Sequence, residues 1–219
     1  MSRPGIHTFT LGDFMTNCFV VTPEEAPKAD ATCWIVDCGF EPEEMLDWVE
    51  SQQLRPEAIL LTHAHADHMA GVDAALGRFG DLPVYLHEAE QRFCSDPMLN
   101  LSGLMGMQVT CREPDHWLKG GEELVLGAHA FRVVHAPGHS PGCVLFIHDA
   151  SSQALVGDTL FAGSIGRIDF PTSDPEKMRH TLEKVMMALP DELAIHPGHG
   201  PATTIGDERR SNPFIRGGF

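Results

Sequence analysis

One short segment with four potential metal ligands constrains this chain more than any other feature. Residues 62–68 read T-H-A-H-A-D-H, with an apolar run of strand length before them and a helical pattern over 69–79 behind them. The potential ligands are His63, His65, Asp67 and His68. The pattern predicts a turn from a strand into a helix, with metal-binding side chains gathered on the turn. A simpler alternative is a surface turn in which Asp67 caps the helix, but capping does not require three histidines.

Spacing within the segment indicates how these side chains can share ions. Residues two apart in extended backbone project to the same side, so His63 and His65 can present their imidazoles to one ion. Asp67 and His68 lie past the bend, where the chain enters the helix, and they suit a second ion. The segment therefore supplies part of each of two ligand sets.

Charge and cysteine content restrict the partners and the location of the protein. The chain of 219 residues has a formal net charge of −16, which repels nucleic acid and anionic membrane surfaces. Its six cysteines form no C-x-x-C pair, as expected for reduced thiols. No apolar run has signal-peptide length or the ~18 residues of a membrane span. We therefore expect a cytoplasmic, single-domain protein, residues 1–219, that binds neither nucleic acid nor membranes, with the oligomeric state left open.

Strand and helix patterns follow one another in the order expected for a layered α/β protein. Strand-like runs cover 6–11, 17–21, 31–38, 56–62, 83–86, 124–126, 130–135, 144–148, 154–156 and 193–196. Helical patterns cover 42–54, 69–79 and 175–189. Residues 88–117 read as a short helix and a loop that either packs against the body of the fold or forms an apolar wall over the site. Residues 203–219 read as an extended or partly ordered end. The order predicts two β-sheets packed face to face, with helices outside.

Three later motifs supply further ligands, each directly after a predicted strand. P-G-H-S-P-G places His139 in a tight turn, V-G-D-T places Asp158 at a strand end, and P-G-H-G-P places His199 after the last strand. Loops at strand ends hold such side chains on a rigid scaffold, and the glycines and prolines let backbone approach an ion closely.

The motifs T-H-A-H-A-D-H, P-G-H-S-P-G, G-D-T-L-F and P-G-H-G-P, in this order and spacing, resemble the metallo-β-lactamase superfamily. The resemblance extends from the N-C-F-V-V strand at Asn17 and the I-V-D-C-G motif through N-P-F at Asn212. It implies an α/β protein with a four-layer αβ/βα sandwich and a dinuclear metal site. By matching motif, metal 1 would be held by His63, His65 and His139, metal 2 by Asp67, His68 and His199, and Asp158 would bridge the two. Asp67 and Asp158 are then the catalytic carboxylates.

Within the superfamily, segments 157–171 and 198–206 are most similar to short glyoxalase II-like hydrolases. This resemblance implies hydrolysis of small thioesters such as S-D-lactoylglutathione, by attack of a metal-bridging hydroxide on the carbonyl. Full-length glyoxalase II enzymes carry a helical C-terminal region with basic and tyrosine residues that hold glutathione. This chain ends soon after His199 and has a single tyrosine, Tyr85. We therefore expect hydrolysis to depend little on the glutathione part of a substrate.

Side-chain chemistry narrows the expected cofactors and contacts. Five imidazoles and two carboxylates suit two divalent ions, zinc first, with iron or manganese as alternatives because no cysteine ligand is present. Arg167, in the G-S-I-G-R motif, is expected to hold a substrate carboxylate, and pairing with Asp169 is the equal alternative. His135 and His196 flank ligand turns and are candidates for orienting the ligands.

Other activities fit the same motifs less well. A mononuclear iron persulfide dioxygenase of this superfamily also contains a G-R-x-D-F segment like residues 166–170, whereas P-G-H-G-P at 197–201 favours hydrolysis. A lactonase is a third possibility. β-Lactamase action is disfavoured because nothing marks the chain for export. A binding or structural role is disfavoured because all seven ligand positions are filled.

Overall fold

Two mixed β-sheets form the body of the molecule. The structure is a computed structural model that describes residues 3–217. The first sheet contains, in spatial order, β1 (Gly5–Leu11), β2 (Thr16–Thr22), β3 (Thr32–Val36), β4 (Arg55–Leu60), β5 (Val84–His87) and β6 (His116–Leu118). The second contains, in spatial order, β7 (Glu123–Leu126), β8 (His129–His135), β9 (Val144–His148), β10 (Gln153–Gly157), β11 (Ala194–Pro197) and β12 (Thr203–Thr204). Strands β1 to β3 are antiparallel and β3 to β6 parallel, whereas the second sheet is antiparallel except between β10 and β11.

Successive residues of a strand point to opposite sides of its sheet, and in the central strands β2, β9 and β10 both sides are buried. In β2, Phe19 and Val21 pack between the sheets with Phe146 of β9. Their neighbours Cys18 and Val20 face the helices on the outside. This explains why β2 is apolar on both faces and is buried along its whole length.

Helices cover the outer face of each sheet. They are α1 (Glu43–Ser51), α2 (Ala66–Met69), α3 (Val72–Phe79), α4 (Pro175–His180), α5 (Ile205–Ser211) and α6 (Pro213–Arg216). Met45 of α1 and Val72 of α3 pack on the first sheet, and Met178 of α4 packs on the second. The predicted four-layer αβ/βα sandwich is therefore confirmed. None of the helices within residues 3–217 has the length and apolar character that crossing a bilayer requires.

Two of the predicted helices differ from the observed ones in their bounds or in their type of helix. The helix predicted over 69–79 begins earlier and is divided into α2 and α3. The helix predicted over 175–189 is present, but after α4 it continues as a π-helical turn, Thr181–Val185, and a 3₁₀ turn, Met186–Ala188. In a π-helical turn the backbone hydrogen bonds span one residue more than in an α-helix, so the helix is locally wider.

One of two predictions about irregular segments was wrong. Residues 88–117, predicted as a short helix and a loop, form the short 3₁₀ helices Glu88–Glu90 and Ser102–Met105, with loop around them, and the start of β6, which was not predicted. The chain from residue 203 is not an extended end, because it forms β12, α5 and α6. Side chains cap these short helices: Thr204 accepts the Asp207 N–H, and Asn212 accepts the Phe214 N–H. Residues 218 and 219 of the predicted tail lie outside the described residues.

Candidate metal centre

The turn after β4 carries His63 and His65 into the interior. It is held from both sides, because Thr62 donates its N–H to Asp37 Oδ1 (2.7 Å) and accepts the Val144 N–H (2.9 Å). Both imidazoles are buried, and His63 Nε2 lies 3.1 Å from His65 Nδ1. The structure thus brings together the two rings that were predicted to share an ion.

His139 completes a first group of three imidazoles. It lies in the turn between β8 and β9, and its Nε2 is 2.9 Å from His65 Nδ1. Its Nδ1 donates to the Arg167 carbonyl at 2.9 Å, which directs Nε2 toward the other rings. One nitrogen from each of His63, His65 and His139 lies within 4.8 Å of the other two. This spacing suits three ligands of one ion.

Asp67, His68 and His199 form a second group, whose ligand atoms also lie within 4.8 Å of one another. His199 Nε2 is 3.3 Å from Asp67 Oδ2, and His68 Nε2 is 3.6 Å from the same oxygen. Asp67 and His68 belong to α2, whereas His199 follows β11 of the other sheet. Asn17 holds that second loop by donating its amide to the Pro197 carbonyl at 2.9 Å. The second group therefore joins the two sheets.

Asp158 lies between the two groups. Its Oδ1 is 3.3 Å from His68 Nε2, and its Oδ2 is 3.4 Å from both His139 Nε2 and His199 Nε2. One carboxylate therefore faces a ring of the first group and two rings of the second. This is the position expected of a bridging ligand.

Two glycines explain why backbone and ligand approach so closely here. Gly157, with a left-handed φ of 48°, would place a Cβ 2.4 Å from Thr62 Oγ1. A Cβ on Gly198 would lie 2.2 Å from Asp158 Oδ1. Any larger residue at either position would displace a ligand turn.

Unsatisfied atoms inside the cluster indicate that divalent ions fit it. Within the described range 3–217, His68 Nε2 and Asp158 Oδ1 are buried and make no hydrogen bond of normal geometry, although they lie 3.3 Å apart. Buried polar atoms in this state are rare unless a further group satisfies them. Imidazole nitrogens and carboxylate oxygens are common ligands of zinc, iron and manganese.

The protonation of the cluster also favours cations. Burial lowers the pKa of His63 and His65 well below the ordinary value, and neutral imidazole is the form that binds metal. Burial raises the pKa of Asp67, but His68 and His199 outweigh it and bring the pKa to about 2. Burial lowers the pKa of these two histidines, but the neighbouring carboxylates raise that of His199 to about 9 and that of His68 well above the ordinary value. Without metal, protons on these two rings balance the acids, and a metal ion entering the second group would displace them.

Asp37 orients His68 and was not among the predicted site residues. Its Oδ2 accepts the Nδ1–H of His68 at 2.9 Å and the hydroxyl of Thr62 at 2.7 Å. This bond fixes the ring so that Nε2 faces the second group. Asp37 lies in the I-V-D-C-G motif that supported the family resemblance. An acid within the otherwise apolar run 31–38 was the sequence signal that could have identified it, and the structure buries it fully.

Glu90 connects two ligand turns and was also missed. One carboxylate oxygen accepts the N–H of Ala64, between the first two histidines, at 2.6 Å. The other accepts the Gly142 N–H at 2.8 Å and the Ser140 hydroxyl, both in the turn of His139. Burial raises the pKa of Glu90 to about 7, against the lowering effect of these three hydrogen bonds. The short H-E-A-E stretch around Glu90 shows no pattern that separates it from an exposed acid.

The two histidines predicted to orient ligands do not contact the ligand side chains in that way. His135 Nε2 lies 2.9 Å from the Pro141 carbonyl, and its ring stacks on His87 at 3.9 Å between centroids. It therefore supports the backbone of a ligand turn. His196 Nε2 has no hydrogen-bond partner among residues 3–217, so it orients no ligand through that atom.

Arg167 is paired with Asp169, the alternative recognised from the sequence. Its guanidinium makes two bonds to that carboxylate, 2.9 and 2.8 Å, and lies 4.3 Å above the centre of the Phe170 ring. The side chain is 64% exposed and lines the cavity above the cluster. Its role as a substrate anchor stays a prediction.

The ligand cluster forms the floor of a cavity of about 500 Å³. Leu101, Leu104 and Met105 line one side of this cavity. The segment 88–117 therefore contributes an apolar wall over the site, one of the two roles considered for it.

Comparisons with known proteins agree with this geometry. The model of the metallo-beta-lactamase superfamily matches residues 11–199. The hydroxyacylglutathione hydrolase GloC of Haemophilus influenzae is 34% identical over 204 residues, 92% of this chain and 93% of GloC. The B3 metallo-beta-lactamase BLEG-1 has 38% identity and a TM-score of 0.89, over 96% of this chain and 99% of that structure. TTHA1623 in a di-iron-bound form has 39% identity and a TM-score of 0.82, over 94% and 98%. The chain therefore belongs to the metallo-beta-lactamase superfamily.

Proposed function

We propose that the protein is a dinuclear metal-dependent hydrolase of small thioesters, with S-D-lactoylglutathione as the first substrate to test. The observation that carries this proposal is the position of Asp158 between two groups of ligand atoms at the floor of one cavity. His63, His65 and His139 would hold one ion, Asp67, His68 and His199 the other, and Asp158 would contact both. The relationship to GloC supports hydrolysis of a hydroxyacyl thioester.

Bound divalent ions would lower the pKa of a water molecule and polarise a substrate carbonyl. The side chains of the protein then have three tasks. The imidazoles and carboxylates hold the ions, Asp37 and the Arg167 carbonyl keep two rings in place, and the apolar walls exclude bulk water. A thiol with a pKa near ~8.5 can depart as thiolate, so the reaction needs no general acid from the protein.

The proposed ions are zinc first, with iron or manganese as alternatives. The donor set contains nitrogen and oxygen atoms only, which all three metals accept. The di-iron form of TTHA1623 supports iron in such a site. The proposed location is the cytoplasm, in keeping with six free cysteines, and the proposed partner is a small-molecule thioester rather than nucleic acid or a membrane.

The second ligand group favours this function over the mononuclear iron dioxygenase. A single ion held by His63, His65 and His139 would leave Asp67 and His199 without a metal to bind. Lactone and β-lactam hydrolysis use the same chemistry on other carbonyls, so they are separated by assay.

The test is metal content and activity on the same preparations. Protein loaded separately with zinc, iron and manganese is analysed for metal, then assayed for lactoylglutathione hydrolysis, thiol-persulfide-dependent oxygen uptake, and lactone and β-lactam hydrolysis. We expect close to two ions per chain and thioester hydrolysis as the fastest reaction. His180→Ala, at an exposed position on α4, is the control for nonspecific effects of removing a histidine. One ion per chain with oxygen uptake would replace the proposal with the dioxygenase.

A further inference from the structure

We propose that the cavity selects thioesters in which the acyl group or the thiol group, here called an arm, is uncharged and apolar. The wall formed by the 3₁₀ turn Ser102–Met105 contacts this arm and determines the selection. The inference rests on the proposed function and narrows its substrate class, because it ranks S-D-lactoylglutathione, whose two arms are both polar, below thioesters with an apolar arm. The cavity has a polar floor of ligand atoms and walls that are almost entirely apolar, and this contrast motivates the proposal.

The walls are built from three phenylalanines and from neighbouring aliphatic side chains. They include Phe14, Phe161, Phe170, Leu101, Leu104 and Met105. Ligand cavities of this kind are lined mainly by apolar groups, with a few polar atoms that fix orientation. In this cavity the ligand cluster already supplies those polar atoms.

The two polar residues of the cavity outside the ligand cluster have their side chains committed elsewhere. The Asn100 amide donates to the carbonyls of Phe93 and Val109, both at 2.9 Å, and its oxygen accepts the N–H and the hydroxyl of Ser102. Arg167 is neutralised by Asp169. A glutathione arm carries two carboxylates and an ammonium group, and outside the ligand cluster none of the described residues that line this cavity has an unpaired charge to receive them. An uncharged arm has no such cost.

Apolar exposure is concentrated at this cavity. Among residues 3–217, six large apolar side chains are exposed, and three of them, Phe14, Leu104 and Met105, line it. Phe14 is on the β1–β2 turn, whereas the other two are on the 3₁₀ turn Ser102–Met105. Exposed apolar surface gathered around a polar floor marks a binding site rather than random surface composition.

The wall is fixed to the ligand turn, so it is a preformed surface. The carbonyl of Asn100 accepts the N–H of Ala66, between two predicted ligands, at 2.9 Å. Leu101 has a left-handed φ of 70°, uncommon for a leucine, and the Asn100 side chain holds the turn that follows. Strain retained at a cavity wall is frequently connected with ligand binding.

The test uses two series of thioesters with the metal-loaded protein. One series lengthens the acyl group from acetyl to hexanoyl on N-acetylcysteamine, and the other lengthens the thiol arm of S-alkyl thioacetates. We expect kcat/KM in at least one series to rise about fourfold per methylene until the cavity is filled. We expect the glutathione ester of the same acyl group to be no better than the N-acetylcysteamine ester.

A matched pair of variants connects the effect to the wall. Met105→Gln places an amide in the cavity, whereas Met98→Gln makes the same change at an exposed methionine of the same segment that does not line it. We expect the ratio of kcat/KM between the longest and shortest esters to fall by about tenfold or more in Met105→Gln, since several methylenes lose contact. The Met98→Gln ratio should equal that of the unmodified protein.

Binding of a thioether that cannot be hydrolysed separates this inference from the proposed function. Calorimetry compares S-hexyl and S-methyl N-acetylcysteamine on the metal-loaded protein, and we expect tighter binding of the hexyl compound. If no thioester is hydrolysed but the hexyl thioether is preferred, the proposed function fails and the apolar selectivity stands. If thioesters are hydrolysed but neither series rises with length, or the glutathione ester is far superior, the inference is overturned.

Discussion

At the scale of single residues, Asp158 distinguishes a shared metal site from two separate ones. It is the carboxylate that lies within 3.4 Å of rings from both ligand groups, whereas His199 approaches only the second group and Asp158 itself. We expect Asp158→Ala to lower the occupancy of both ions and His199→Ala to lower mainly that of the second. Metal analysis after dialysis against a fixed chelator concentration measures this difference.

The metal content of Asp158→Ala could also contradict the bridging role. If Asp158→Ala retained two ions as firmly as the unmodified protein, the carboxylate would not bridge and its interaction with His68 would be structural. The exposed His180→Ala variant should keep its full metal content throughout.

The positive charge of Arg167 is already balanced by a neighbouring acid, Asp169. Because its charge is balanced by Asp169 and screened by solvent, it exerts little attraction on a substrate carboxylate. We expect Arg167→Ala to raise KM for lactoylglutathione by less than about fivefold, with a smaller change in kcat. Steady-state kinetics on lactoylglutathione and on its N-acetylcysteamine analogue measure the effect. A rise of KM by orders of magnitude, confined to the glutathione ester, would show that Arg167 leaves Asp169 to bind substrate.

At the scale of elements, the ligand turns depend on one another through Glu90. Replacing it with glutamine keeps the shape but puts an amide NH₂ where an oxygen accepted N–H groups. One of the Ala64 and Gly142 donors, or the Ser140 hydroxyl, then loses its acceptor. We expect Glu90→Gln to lower the free energy of unfolding of the metal-free protein by about 1–3 kcal/mol, the cost of an unsatisfied buried donor.

Replacing Glu90 should also weaken metal binding, because Glu90 holds the turns that carry the predicted ligands. Groups that orient ligands typically change metal affinity by about 10-fold to 100-fold when replaced. Chelator competition on the loaded protein measures this affinity, and Glu88→Gln, two residues away and exposed, is the control. Equal metal retention in Glu90→Gln and Glu88→Gln would assign Glu90 to folding stability alone.

The same elements show which parts of the molecule the sequence predicts. Strands and helices with a strong apolar pattern, such as the continuous run of β2 and the stripe of α1, were placed within a few residues, because their own side chains determine what is buried. The strand β6 and the wall around Asn100 were not, because they depend on pairing with β5 and on hydrogen bonds to distant carbonyls. The ends of α5 and α6 depend on caps at Thr204 and Asn212, which a propensity pattern over short segments does not reveal.

The candidate site also has a part that the sequence predicts and a part that it does not. The seven predicted ligands are brought together because their motifs lie at strand ends, and strand ends meet at one edge of the sandwich. Asp37 and Glu90 were missed because each acts through contacts with residues far away in the chain. Their importance appears only when those partners are in place.

At the scale of the whole molecule, the cluster assembles only when both sheets are packed. Sheet one supplies His63, His65 and the residues of α2, while sheet two supplies His139, Asp158 and His199 through its loops. Ions that bind the folded chain and not the unfolded one would stabilise this packing by mass action. The metal centre therefore has a structural consequence for the sandwich in addition to its proposed chemistry.

The acid sensitivity of the fold should depend on His196, which belongs to β11 and packs edge-on against Phe19 of the first sheet. Burial, together with the charge of Arg3, lowers the pKa of His196 from 6.5 to about 4. As the pH falls, the unfolded chain binds a proton at this histidine first, so the folded state loses stability. The contribution is fully present above pH 6.5 and is lost as the pH falls to about 4. The slope it adds is at most about 1.4 kcal/mol per pH unit.

We expect His196→Gln to flatten the pH dependence of the free energy of unfolding within this window, because glutamine does not titrate. The measurement is denaturant unfolding of the metal-free protein at several pH values, so that acid release of metal does not contribute. His180→Gln, on the exposed face of α4, should leave the slope unchanged. The carboxylates of the cluster also lose stability in acid, but they are common to all three proteins and cancel in the comparison. Identical slopes in the His196→Gln and His180→Gln variants would show that His196 accepts a proton in the folded state as readily as in the unfolded one.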